Sequence, residues 1–165
     1  MISPGELYAR HAGDVFRFAL YLSGNRVEAE DLTSETFVRV WTSPETIRVA
    51  TVKGYLFTIA RNLHLQSLRR RRREVELDAA VEASVRDPSG GPAAEAEEDS
   101  ELRAVLAALQ KLPETDRAAL LMRAIDEMSY EIARSLGTSV PAARVKAHRA
   151  RVALGEMTSW PCHAK

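Results

Sequence analysis

Apolar residues recur at intervals of three and four through most of this 165-residue chain, the spacing of helices that bury one face. Tyr8, Ala12, Val15, Phe16, Ala19 and Leu20 lay out a first helix. A second runs through Ala29, Leu32, Phe37, Val40 and Trp41, opened by Asn25 and Glu28 as a cap-and-return pair and stopped by Pro44. Beyond the loop SPETIRVATV, a third carries Leu56, Ile59, Ala60 and Leu63 inward and runs out into five consecutive arginines. Leu102, Val105, Leu106, Leu109 and Leu112 predict another helix ending at Pro113; Leu120, Leu121, Ala124, Ile125 and Met128 predict the next. No stretch alternates strictly enough to predict a strand, so the chain reads as all-α.

Ser129 to Arg151, SYEIARSLGTSVPAARVKAHRAR, has the spacing of a helix-turn-helix. Ile132 and Leu136 stripe a short first helix, Ala133 is small enough for a second helix to cross closely, and Gly137 stands where the turn needs a residue tolerant of positive φ. Ser139 can cap the second helix and Pro141 is tolerated in its first turn. Arg144, Lys146, His148, Arg149 and Arg151 follow with no acidic residue among them, which suits the major groove of DNA.

The formal net charge of zero hides a segregation of sign. Lys53 to Arg73 holds seven basic residues and no acidic ones, whereas Glu74 to Glu101 holds ten acidic residues and one basic. The acidic stretch includes RDPSGGPAAEAEED, the composition of a flexible, self-repelling linker with almost nothing to bury, and a domain boundary is expected there. The sole cysteine, Cys162, excludes an internal disulfide, and no Cys cluster has zinc-ligand spacing, so neither metal nor cofactor is expected. No apolar run is long enough to span a bilayer and the N-terminus lacks the order of a signal peptide, which predicts a cytoplasmic chain that is not itself a membrane protein.

Three blocks, AEDLTSETFVRVW (Ala29 to Trp41), GYLFTIARNLHLQSLRRRRR (Gly54 to Arg73) and LPETDRAALLMRAIDEMSYEIARSLG with the basic helix after it (Leu112 to Arg151), together resemble an extracytoplasmic function sigma factor of bacterial RNA polymerase. The resemblance covers nearly the whole chain and implies an initiation factor of two small helical domains. Residues 1–75 are then a region 2-like bundle, 76–100 a flexible acidic linker, 101–158 a region 4-like helix-turn-helix domain and 159–165 a tail. The implied partners are core RNA polymerase, promoter DNA (duplex at −35, single-stranded at −10) and an anti-sigma factor.

Residue by residue, the resemblance assigns polymerase docking to Asp31, Leu32, Glu35, Arg39 and Trp41, with Leu32, Val40 and Trp41 expected mainly as packing and Asp31, Glu35 and Arg39 on the docking face. It assigns recognition and melting of the −10 element to Gly54 to Arg73, and the chemistry agrees. Lys53, Arg61, Arg69, Arg70, Arg71, Arg72 and Arg73 can hold a separated strand; Tyr55, Phe57, Asn62, His64 and Gln66 can hold an unstacked base. Tyr55 and Phe57 read equally well as core aromatics, and Thr42 to Val52 falls where the family keeps a pocket for a flipped base. At −35 the resemblance points to Ser139, Arg144, His148 and Arg149 for reading, with Lys146 and Arg151 on phosphates. Arg144 and His148 share a face, Arg149 adjoins it and Arg151 is expected to be rotated away.

Two positions depart from the family pattern: SYEIA is one residue short, which bears on the approach angle of the first helix, and Ala143 replaces a larger aliphatic residue, which is expected to weaken packing beneath the second. A free-standing helix-turn-helix regulator accounts for the C-terminal half but not for Ala29 to Trp41 or the arginine helix. Scattered histidines (His11, His64, His148 and His163), with no phosphate loop and no paired catalytic groups, argue against an enzyme.

Overall fold

A computed structural model describes residues 2–43, 52–78, 98–126 and 129–158. Seven helices follow one another without a strand among the described residues: α1 (Pro4–Ser23), α2 (Arg26–Thr42), α3 (Val52–Asp78), α4 (Glu98–Gln110), α5 (Glu114–Asp126), α6 (Ser129–Leu136) and α7 (Val140–Met157). No described helix is long and apolar enough to cross a membrane.

The helix starts follow from local chemistry. Ser3 caps α1 in a reciprocal box: its Oγ accepts from the Glu6 amide, and the Glu6 carboxylate accepts from the Ser3 amide. Asn25 caps α2 by accepting from the Glu28 amide, but Glu28 does not reach back as the sequence suggested; its carboxylate turns inward to α3. α2 stops at Thr42, and Pro44 lies outside the described residues. α3 continues as one helix through all five arginines to Asp78, three residues into the expected linker, whose residues 79–97 lie outside the described set.

In the first half, Val15, Phe18 and Leu22 of α1 pack with Phe37 and Val40 of α2 and with Leu56, Phe57 and Ala60 of α3. Phe57 stacks nearly parallel on Phe18 at a centroid distance of 4.5 Å. In the second half, Ala118, Ala119 and Met122 of α5 meet Ala133 of α6 and the small face Ala143, Ala147 and Ala150 of α7. Apolar packing is continuous from one half into the other.

Polar contacts seal the junction between the halves. Arg61 of α3 donates through Nε and Nη2 to both carboxylate oxygens of Glu114, each at 2.8 Å, and through Nη1 to the Ser135 carbonyl at 3.0 Å. Gln110 Nε2 donates to the Tyr21 and Leu22 carbonyls at 3.2 and 3.3 Å, and Arg117 Nη1 donates to the Leu22 carbonyl. The exposed carbonyls that end every helix are met in α1 by side chains of the other half. Burial pushes the Arg117 guanidinium below its ordinary value, with Glu114 partly offsetting the effect. Beside this contact Gly24 takes φ 70°, and a Cβ there would stand 2.9 Å from the Gln110 side chain.

Candidate nucleic-acid interface

The helix-turn-helix forms as its sequence dictates. Gly137 takes φ 65°; its amide donates to the Arg134 carbonyl and the Thr138 amide to the Ala133 carbonyl at 2.9 Å, so a left-handed residue closes α6 with both bonds of a Schellman end. Ser139 then caps α7, accepting from the Ala142 amide at 3.3 Å. Ala143 is fully buried with Ala147 and Ala150, and this small face lets α7 lie close against α5 and α6.

A flank of α7, about 100° round from this small face, carries Arg144, His148 and Arg151, all exposed. Their spacing of four and seven residues returns each to within about 40° of the first, at about 100° per residue. Arg151 therefore shares the face of Arg144 and His148 rather than turning away from it. Arg149, about 140° round the helix by the same count, is the residue that turns aside. Asp116 on α5 accepts from its Nε at 2.9 Å and its Nη2 at 3.1 Å, and Lys146 Nζ lies 3.8 Å from the same carboxylate. Hydrogen bonding to Asp116 raises the Arg149 guanidinium above its ordinary value.

In the first half Asp31, Glu35 and Arg39 face an open groove between α2 and α3, shared with Gln66, Arg70 and Arg71. Arg39 bridges the groove, 3.5 Å from Glu35 and donating to Gln66 Oε1 at 3.4 Å. Leu32 is buried along it and Val40 in the core on the other side of α2, whereas Trp41 is half-exposed, tilted against Phe37 at 6.1 Å.

The twelve residues expected at the −10 element divide by environment. Asn62, Gln66, Arg69 and Arg73 recur along one exposed side of α3, with Arg70 and Arg72 beside them. Arg71 is exposed but donates to Glu28 Oε2 at 2.8 Å. Lys53 pairs with Asp14 at 2.9 Å, a hydrogen bond that holds the Asp14 carboxyl below its usual range against the effect of burial. Tyr55 packs half-buried against the core. Phe57 and His64 are buried: Phe57 lies against Phe18, and His64 Nδ1 is 3.0 Å from Glu28 Oε1. Arg61 is enclosed at the junction of the halves. Of the loop Thr42 to Val52, residues 44–51 lie outside the described set.

Glu28, Gln110, Asp116 and Arg117 organise these surfaces, yet sequence reasoning singled out only Glu28, and for another task. The available signal was weak: an acid one residue from the apolar start of α2, and an acid-arginine pair just inside α5. Among the described residues no group of three or more His, Cys, Asp or Glu is placed to hold a metal.

Comparison with known proteins agrees with this two-part arrangement. The Sigma-70 region 2 family matches residues 7–74, and the Sigma-70 region 4 family matches residues 102–154. The chain is 36% identical to the ECF RNA polymerase sigma factor EcfG of Rhodopseudomonas palustris, covering 85% of this chain and 76% of that one. This chain is an ECF sigma factor. The sigma factor is also 42% identical to the ECF RNA polymerase sigma factor SigE of Mycolicibacterium smegmatis over 92% of its own length, and spans 60% of that relative. Its fold is that of the sigma factor RpoE solved in complex with the anti-sigma factor NepR from Bartonella quintana, with a TM-score of 0.74 and 24% identity over 93% of this chain and 95% of that one. CnrH, solved with the cytosolic domain of CnrY, has the same fold, with a TM-score of 0.66 and 24% identity over 93% and 86% of the two chains.

Proposed function

We propose that this sigma factor works in the cytoplasm, binds core RNA polymerase and directs it to a two-element promoter, performing no chemistry of its own. Residues 1–75 dock on polymerase through Asp31, Glu35 and Arg39 and engage the −10 strand through the Asn62, Gln66, Arg69 and Arg73 side of α3. Residues 101–158 engage duplex −35 DNA through α7. The observation that carries the reading is the exposed Arg144, His148 and Arg151 face of a capped helix behind a left-handed glycine turn.

Arg61 bears on the order of events. While it is enclosed against Glu114 and the Ser135 carbonyl it has no access to a DNA strand, so its use at −10 requires the halves to part. An anti-sigma factor that favours the packed arrangement would then withhold Arg61, in keeping with the complexes in which RpoE and CnrH were solved.

Reconstitution with core polymerase and sequencing of the run-off transcripts tests the reading. Start sites should lie behind a common pair of elements, and Arg144→Ala should change the preferred −35 base, since one bidentate base contact contributes about 1–3 kcal/mol of discrimination. Specific duplex binding by the chain alone, with no polymerase-dependent transcript, would favour a free-standing regulator instead.

A further inference from the structure

The same device occurs once in each half of the molecule. Glu28, in the first turn of α2, is buried, and it binds an exposed arginine of α3: the Glu28 side chain is 7% exposed and that of Arg71 54%. Asp116, in the first turn of α5, is buried, and it binds an exposed arginine of α7: 4% against 60%. Each carboxylate has a second basic partner, His64 for Glu28 and Lys146 for Asp116.

Two explanations compete, a tie between helices and a support for the arginine. The chain supplies its own comparison. Where an ion pair joins the halves, Arg61 with Glu114, both side chains are largely enclosed, 8% and 18% exposed, and all three nitrogens of the guanidinium bond within the protein. Arg71 and Arg149 differ. Arg71 gives Glu28 one N–H and Arg149 gives Asp116 two; with five N–H donors to a guanidinium, at least three remain on each, on side chains more than half exposed. A long side chain held at one end also loses less freedom on binding than a free one.

We propose that Asp116 is a positioning residue that holds Arg149 ready for DNA phosphates on the flank of the −35 duplex; Arg71, about 180° round α3 from Asn62, lies toward the α2–α3 groove, where its bond to Glu28 ties the two helices. This rests on the sigma-factor reading. It reassigns Arg149 from base reading to the backbone, because the residue lies off the face of Arg144 and His148 and beside α5.

The sign of the effect separates the two explanations. Replacing a carboxylate by its amide removes negative charge near DNA, which by Coulomb attraction alone should tighten binding. A positioning role predicts the reverse. With full-length protein in holoenzyme on its promoter, Asp116→Asn should weaken binding about tenfold, the scale of one charge-assisted hydrogen bond. Arg149→Ala should weaken it as much. The double variant should be no worse than its singles, and the salt dependence should fall by about one phosphate contact. The ranking of −35 bases should not move. Asp116→Glu, which keeps the charge, should recover part of the loss and guards against misfolding of the amide. Binding by Asp116→Asn as tight as the parent, additive losses in the double variant, or no effect of Arg149→Ala on a holoenzyme that still selects its promoter would overturn the proposal. A parent holoenzyme that selects no promoter would instead overturn the sigma-factor reading on which it rests.

Discussion

Glu114→Gln is the perturbation that the junction of the halves makes most informative. The substitution keeps the size of the side chain and one acceptor oxygen, but strips the charge that answers Arg61. Removing one partner of an enclosed ion pair costs about 3–5 kcal/mol, and Glu114, 18% exposed, belongs near the lower figure, about 3 kcal/mol. That cost applies only while the halves stay packed. Arg61 regains water if they part, so the loss should appear as separation rather than unfolding, a shift of roughly a hundredfold in the packed-to-parted ratio. Energy transfer between dyes at Glu30 on α2 and Glu156 on α7, both exposed, reports the distance directly. The apolar double variant Arg61→Met with Glu114→Leu should pack again, because similar-sized apolar residues replace an enclosed pair at little cost or with a gain. Unchanged transfer efficiency in Glu114→Gln, with an unchanged melting temperature, would refute the reasoning.

Further outcomes follow from single environments. Phe57→Ala should cost about 3–5 kcal/mol of first-half stability in a denaturant titration, whereas Phe57→Leu should retain most of it, as expected of a core ring stacked on Phe18. Gly137→Ala meets no steric neighbour but must hold φ 65°, so it should lower stability by about 1–2 kcal/mol, read as a drop in melting temperature. Burial pushes the Glu28 carboxyl up, but His64 and Arg71 outweigh burial and hold it below its usual 4.5. Its contribution to stability is therefore present above pH 4.5 and is lost as the pH falls through the lower folded value. In Glu28→Gln the urea midpoint should fall less steeply on acidification.

Periodicity revealed the helices because a buried stripe is a local property: Leu56, Ile59, Ala60 and Leu63 declare α3 without reference to anything else. The turn at Gly137 and the cap at Ser139 were legible for the same reason, each being settled within a few residues. Arg61 was not. A helical wheel shows an arginine beside an apolar stripe, and only the arrival of Glu114, 53 residues later, decides whether that arginine meets water or a carboxylate. The chemistry of His64 suits a strand of DNA and that of Phe57 suits either a base or a core, while burial depends on the partners Glu28 and Phe18 from other helices. In the sequence Ala143 reads as a loss of packing, yet with Ala147 and Ala150 it makes the close approach of α7 possible. Arg151 is a different matter: the arithmetic of the helix already placed it with Arg144.

Gly24 holds a position of unusual leverage in the chain's mutational landscape. Two demands meet there, a left-handed backbone that L side chains rarely adopt and a space that a Cβ would share with the Gln110 side chain. The side chain of Gln110 would have to withdraw from the Tyr21 and Leu22 carbonyls, while every residue of α3 and α7 proposed to meet DNA stayed as it is. A single-step mutant at Gly24 would thus keep the promoter alphabet of its parent while losing part of the coupling between its halves. On the proposed reading, descendants of this chain could change how readily the halves part without altering the residues proposed to read DNA.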